Sequence, residues 1–379
     1  MRSIRAFGGR GEPGRGGPSR DRVPSGPVTG AVDGQSPQRP QRLGEILEAA
    51  PRPIFPRASI GCVSRVLLTG ITGFVGSHLA ERLLQSGVEV HGLAIEEPPY
   101  PHLEAIASHI DIHRADLGDA ASVRAGVDAA RPDVVIHLAG QAIPSLAQRD
   151  VAGTIAVNVI GTATVLDAIA AYPGMRLVYA SSADVYGDPE RIPVDEDAPL
   201  RPTNVYAATK AATEALVREF GDRGSNPTVI LRPVNQNGPR QHPGLAASGF
   251  AKQIAEAEAG LTEPVIRHGR LDAARDFLDV RDMAMAYAAA ARLDPARTDT
   301  YNVGTGMAVT IDTILRILVG LARVPVRTEL DPERVRPGDA TKMAVDATRF
   351  RAATGWTPQI SLERSLAELL DHWRAAVAH

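Results

Sequence analysis

The chain has 379 residues, 44% of them hydrophobic, and a net charge of −3 with both signs dispersed. That is enough for one large α/β domain with an appended lobe, and it offers no basic face for a nucleic-acid partner. The single cysteine, Cys62, excludes an intramolecular disulfide and a cysteine-based metal cluster.

Residues 1–60 are dense in Gly, Pro, Arg and Ser and carry no sustained apolar period. Such a segment cannot bury enough surface to offset its ordering entropy and is expected to be disordered. Within it only Leu43–Ala50 reads as a short helix. Val63, directly before "SRVLLTG", is expected to be the true start, with the preceding stretch a misassigned extension. No apolar run reads as long enough to span a membrane, so a cytoplasmic protein without a membrane partner is expected.

From Arg65 onward short β-branched runs alternate with helical stretches, which is the pattern of a doubly wound parallel sheet. "RVLLT" reads as the first strand, and the helix after "GITGFVG" stops at Gly87. "VEVHGLAI", "IDIHRADL", "PDVVIHLAG", "MRLVYASS" and "PTVILRP" read as strands two to six. Long helices are expected over residues 151–172 and 205–220, and further ones over 279–293 and 311–322. These spans predict a nucleotide-binding domain over 61–234. A smaller, mainly substrate-binding lobe is expected over 235–379, with segments that return to the sheet.

Gly70, Gly73 and Gly76 follow the first strand in the spacing GxxGxxG and open a helix. In that context Gly70 permits a tight turn, Gly73 admits a pyrophosphate, and Gly76 lets helix and sheet pack closely. Thr72, Phe74 and Val75 complete the turn, and the helix N-terminus supplies N–H donors and a positive dipole. Ligands of such sheets sit at the carboxyl ends of the strands, which adds Asp116 and Leu117 after strand three and Leu138, Ala139 and Gly140 after strand four. The alternative for Asp116 is a helix N-cap. At the end of strand two, Glu96 is placed to meet a ribose hydroxyl, leaving NADH and NADPH both open as the cofactor.

Tyr206 and Lys210 lie one helical turn apart, on one face. A phenol is a poor acid–base group at neutral pH, and a neighbouring ammonium together with an oxidised nicotinamide ring favours its phenolate. The chain has only three lysines, at 210, 252 and 342, which sharpens the reading of Lys210. Ser182 offers a hydroxyl to hold a substrate oxygen. Tyr186 follows the same strand without a lysine one turn later and reads as pocket wall or packing.

The ordered stretches "GITGFVG", "HLAGQA", "SSADVYG", "YAATK" and "LRPVNQNGP" resemble the motifs of the extended short-chain dehydrogenase/reductases that act on nucleotide sugars. The likeness runs from about Arg65 to the C-terminus. In "RPVNQNGPRQ", "ARDFLDVRDM", "YNVGTG", "DPERVRPGD" and "TGWTPQISLERSL" the second half is most similar to the branch that reduces GDP-4-keto-6-deoxy-D-mannose to GDP-D-rhamnose. The resemblance implies Ser182, Tyr206 and Lys210 as the catalytic set, a Rossmann-like fold, a nicotinamide cofactor, a nucleotide-sugar substrate, and a homodimer packed through helices 151–172 and 205–220. It implies Asp184 and Asn235 as substrate contacts, and Arg275 and Arg336 as diphosphate clamps. It also places Asn158 near the active site, where a helix-interior hydrogen bond is the plainer reading. Arg275 can alternatively pair with Asp276 or Asp279. No metal ligand is implied.

Three other activities compete with reduction of a C4 ketone. A 4,6-dehydratase needs further acid–base groups, and the positions where sugar dehydratases carry an acid pair hold Ala183 and Asp184. Ala183 transfers no proton, and Asp184 is one methylene short of glutamate, where a misplacement of about 1 Å costs about a hundredfold. A 4-epimerase needs room for its 4-keto sugar to turn. A cofactor-sensing regulator would not need the tyrosine–lysine pair that this chain keeps.

Overall fold

The computed structural model describes residues 63–293, 298–335 and 342–378. The expected disorder of 1–60, Cys62 and Arg336 all lie outside the described residues.

Seven parallel strands form the main sheet. β1 (Arg65–Thr69) is followed by α1 (Phe74–Gln85), β2 (Glu89–Ala94) and β3 (Ile110–Arg114). Then come α2 (Ala120–Ala130), β4 (Val134–His137), α3 (Pro144–Arg149) and the long helix α4 (Val151–Ala170). β5 (Arg176–Ala180), α5 (Val205–Arg223) and β6 (Thr228–Pro233) complete the consecutive part. The strand order is β10-β6-β5-β4-β1-β2-β3, with β10 formed by Asp299–Val303, so the winding reverses between β1 and β4. In sheets of this kind ligands bind at such a reversal, beyond the carboxyl ends of the strands.

Both faces of this sheet are covered, as the period-two alternation of the strands shows. Val66 and Leu68 of β1 enter one core and Leu67 the other. β6 repeats the pattern, with Val229 and Leu231 on one side and Ile230 on the other.

The second lobe begins at β7 (Asn235–Asn237), followed by α6 (Ala246–Glu258), β8 (Val265–His268) and β9 (Ala274–Asp279). The chain then returns to the first domain. α7 (Val280–Ala290) packs on α1, and β10 (Asp299–Val303) adds to the sheet edge beside β6. It leaves again through β11 (Ala308–Thr310), α8 (Ile311–Gly320), β12 (Arg327–Leu330), β13 (Lys342–Met343), α9 (Thr348–Thr354) and α10 (Leu362–Val377). β9 is the hub of the small lobe, paired with β7, β11 and β13. Phe250, Ile254, Ile314, Leu318, Leu366 and Leu370 from α6, α8 and α10 make its separate core.

One expectation is corrected here. α4 is a continuous helix long and apolar enough to cross a membrane by length and composition. Its inner face packs in the protein, where Val165, Leu166 and Ile169 join one core of the main sheet. Val151, Ile155, Val157 and Ile160 are exposed on the other side. A one-turn π-bulge at Ala156–Ile160 sits in its middle.

Candidate active site

The glycine turn has the geometry that an anion cradle needs. Gly70 adopts φ +69°, and a Cβ there would stand 2.9 Å from the backbone nitrogen of Ala139. At Gly76 a Cβ would meet the Gly70 carbonyl oxygen at 2.2 Å, so only glycine allows the helix to start this close to β1. Gly73 is the N-cap of α1 and makes no side-chain cap hydrogen bond. The first-turn N–H groups are therefore not claimed by a side chain, and the helix dipole favours an anion before them. Thr72 donates its hydroxyl to Glu96 Oε2 at 3.2 Å, which brings the carboxylate after β2 onto the edge of the turn.

The other cofactor-side residues fall where the sheet predicts. Asp116 is exposed and accepts from Gly118 N at 2.8 Å; the cap of α2 is instead Asp119, which accepts from Ala121 N. Leu117, Leu138 and Ala139 are half-buried, and Gly140 is exposed at the end of β4.

Ser182, Tyr206 and Lys210 converge beyond β5, and all three are buried. Asn204 caps α5 by accepting from Ala207 N at 2.8 Å, which fixes the helix start and hence Tyr206. Ser182 accepts from Asp184 N at 3.2 Å, and its hydroxyl hydrogen-bonds the Tyr206 phenol. Lys210 Nζ donates to the Ala180 carbonyl at 2.6 Å and lies over the Tyr179 ring at 5.0 Å.

Burial pushes the Tyr206 phenol well above its usual range, and the Asp184 carboxylate adds to the rise; the Ser182 hydrogen bond only partly offsets them. Burial brings Lys210 down to about 8, against the opposing pull of Glu214. The Lys210 ammonium is directed at the Ala180 carbonyl.

Tyr186 is not pocket wall. It is 1% exposed, accepts from Arg232 Nη1 at 2.8 Å and donates to Asn302 Oδ1 at 2.7 Å. A phenol so committed has no proton to give a substrate.

Asn158 lies in the π-bulge and ties three elements together. Its Oδ1 accepts from Gln141 N at 2.7 Å, and its Nδ2 donates to Thr209 Oγ1 of α5 at 2.9 Å. In the small lobe, Asn235 is exposed at the start of β7, and Arg275 is half-buried in the adjoining β9. Asp276 is occupied by Thr305 and Gly306, and Asp279 by Arg281 and Ser365. Arg275 instead donates to the Ala274 carbonyl at 2.9 Å.

Sequence reasoning missed His137, the last residue of β4. It is fully buried, and burial holds it down to about 3, hence neutral. Thr162 donates to the Asn158 carbonyl at 2.6 Å, so it receives the His137 Nε2 proton at 2.9 Å. His137 Nδ1 then accepts from Thr69, whose oxygen in turn accepts from Leu138 N and Ala139 N. One proton arrangement satisfies the whole chain, and it joins the glycine-turn strand to the π-bulge. The signal was a polar residue ending an otherwise apolar strand.

The chain is similar to known proteins over most of its length. Residues 67–369 match the family model described as GDP-mannose 4,6 dehydratase. The GDP-6-deoxy-D-mannose reductase of Pseudomonas aeruginosa is 33% identical over 318 residues, covering 83% of this chain and 98% of that protein. The UDP-glucose 4-epimerase of Mycolicibacterium smegmatis is 30% identical, covering 82% and 98%. Among solved structures, Thermus thermophilus UDP-glucose 4-epimerase in complex with NAD superposes with TM-score 0.73 at 31% identity, covering 82% of this chain and 99% of that one. RMD from Pseudomonas aeruginosa complexed with NADPH gives 0.71 at 30% identity, with the same coverage. The chain belongs to the GDP-mannose 4,6 dehydratase family, within the extended NAD(P)-dependent short-chain dehydrogenase/reductase enzymes.

Proposed function

We propose that this protein reduces the C4 ketone of a nucleotide-linked 4-keto-6-deoxyhexose, GDP-4-keto-6-deoxy-D-mannose, to GDP-D-rhamnose. The observation that carries this reading is the convergence of the buried Ser182, Tyr206 and Lys210 beyond β5. A ketone reduced there takes up a proton at its oxygen, which the Tyr206 hydroxyl can donate. The Ala183–Asp184 pair also lacks the dehydratase acids, and the similarity to the Pseudomonas aeruginosa reductase supports the same choice.

The residues fit a dinucleotide. Gly70–Gly76 and the first turn of α1 would hold its diphosphate, with Glu96 on a ribose and Leu138–Gly140 and Lys210 toward the nicotinamide end. A reduced nicotinamide there would supply the hydride to C4. Ser182 orients the ketone oxygen, and Tyr206 donates its proton as negative charge develops on that oxygen. Lys210 keeps a positive charge near the resulting phenolate. Asn235, Arg275 and Arg336 are proposed to bind the substrate's diphosphate, for which a forked guanidinium suits two anionic groups. The exposed apolar faces of α4 and α5, with Ile155, Ile160 and Leu216, support a homodimer, which sedimentation would test.

Incubating the protein with GDP-4-keto-6-deoxy-D-mannose and each reduced nicotinamide tests the reading, with GDP-D-rhamnose expected by NMR. Dehydration of GDP-mannose instead would favour the family's other activity.

A further inference from the structure

Behind Ser182 and Tyr206 lies a buried ion pair that the proton transfer does not itself use. Glu214 follows Lys210 by one helical turn and Tyr206 by two, on the same face of α5. It is 2% exposed, and Arg232 at the end of β6 is 3% exposed. Arg232 Nε donates to Glu214 Oε1 at 2.9 Å and Nη2 to Oε2 at 2.7 Å. The Ser181 hydroxyl donates to the same carboxylate at 2.5 Å, while Arg232 Nη1 reaches on to Tyr186 and the Glu196 carbonyl. The network thus closes on the last residues of β5, where the Ala180 carbonyl receives Lys210 and Ser181 binds Glu214.

A buried ion pair adds little stability over well-packed apolar residues of similar size, so stability alone does not account for it. We propose that the Glu214–Arg232 pair is a positioning element of the active site, fixing the Ser181–Ser182 strand end and the Lys210 ammonium relative to Tyr206. The proposal rests on the catalytic set assigned above. Several groups face Lys210: the Tyr179 ring from β5, neutral His137 from β4, the loop at Gly140, and Glu214 on its own helix, where Tyr206 lies one turn before Lys210. Asp184 acts on Tyr206 from the turn after β5, and Arg232 reaches the group through Glu214. Glu214 alone pulls the Lys210 pKa upward against burial. Removing its charge therefore lowers Lys210 further and leaves Ser181 without its acceptor.

The test uses the full chain, labelled with isotopic lysine. Three lysines give three titrating signals, and Lys252 is half-buried and Lys342 exposed, while Lys210 is buried. Wild-type Lys210 is expected to titrate near 8. In Glu214→Gln the midpoint is expected to fall by about one unit or more, and kcat for the 4-keto sugar by about a hundredfold at neutral pH. Glu214→Asp is expected to recover part of both. The apolar pair Glu214→Leu with Arg232→Met removes the buried charges together, is expected to fold, and still lacks normal kcat and the normal Lys210 midpoint. An unmoved Lys210 midpoint in Glu214→Gln, or wild-type kcat in the apolar pair, overturns the proposal. A wild-type protein that reduces no 4-keto sugar overturns the assigned function, and the lysine titration then still decides the positioning role.

Discussion

Replacing Gly76 with alanine probes the cofactor cradle through backbone geometry alone. The added Cβ would stand 2.2 Å from the Gly70 carbonyl oxygen and 2.8 Å from Ile71 Cα, both backbone atoms that cannot rotate away. Ordinary contact begins near 3.4 Å, so the start of α1 must retreat by roughly 1 Å. N–H groups that would hold a phosphate at about 2.9 Å then stand near 3.9 Å, beyond hydrogen-bond range. Losing one charge-assisted bond costs about 1.5–3 kcal/mol, a weakening of roughly 10- to 150-fold in Kd. Gly87→Ala is the control: its Cβ would meet nothing within 4 Å, so only the cost of φ +75° remains. That strain, about 1–2 kcal/mol, lowers stability without touching the cradle. Calorimetric titration with NADH and NADPH measures Kd for both variants, and thermal unfolding measures stability. Unchanged affinity in Gly76→Ala beside normal folding would refute the assignment of this turn.

Tyr206→Phe is expected to lower kcat by about 10²–10⁴-fold while cofactor affinity stays, whereas Tyr186→Phe keeps measurable turnover and loses about 1–3 kcal/mol of stability, because it strands Arg232 and Asn302 in the core. The reverse ranking in steady-state assays would shift the chemistry to Tyr186. The Glu96 carboxylate at the glycine turn is expected to favour NADH over NADPH by about tenfold or more, since a ribose phosphate would meet its charge. Glu96→Gln should narrow that ratio of kcat/KM, and an equal ratio in both proteins would exclude Glu96 from the ribose site. His137 is held down to about 3 in the fold and lies near 6.5 when unfolded. Its stabilising contribution is complete above about 6.5 and declines as the pH falls toward 3. At pH 5 the loss is about 2 kcal/mol relative to neutral pH. Urea unfolding of His137→Gln should show a flatter profile over that window; parallel profiles would contradict it.

Much of the first domain was legible because its signals are local. β1, the glycine turn and α1 follow one another within about twenty residues, and Tyr206 and Lys210 share a turn. Even so, reading that helix face one turn further would have found Glu214, whose partner Arg232 stands in the quoted "LRP" stretch. What escaped was set by packing. β7, β11 and β13 are two or three residues long and exist because β9 pairs with them. The helix Ala246–Glu258 was not singled out, although its inward residues make the small-lobe core. Nothing in the pattern of 156–160 distinguishes a π-bulge from an α-helical turn. The upward push on the Tyr206 phenol comes from burial and from Asp184, which spacing to Lys210 does not convey.

The central claim is that hydride enters the sugar at C4 from outside and stays there. A dehydratase moves its hydride within the sugar, and an epimerase returns it, so neither retains label from added reduced cofactor. The deciding measurement supplies GDP-4-keto-6-deoxy-D-mannose with nicotinamide cofactor deuterated at the transferable position and locates deuterium by NMR. GDP-D-rhamnose with one deuterium at C4 is expected for each cofactor oxidised. A product without deuterium at C4, or no cofactor oxidation at all, would contradict it.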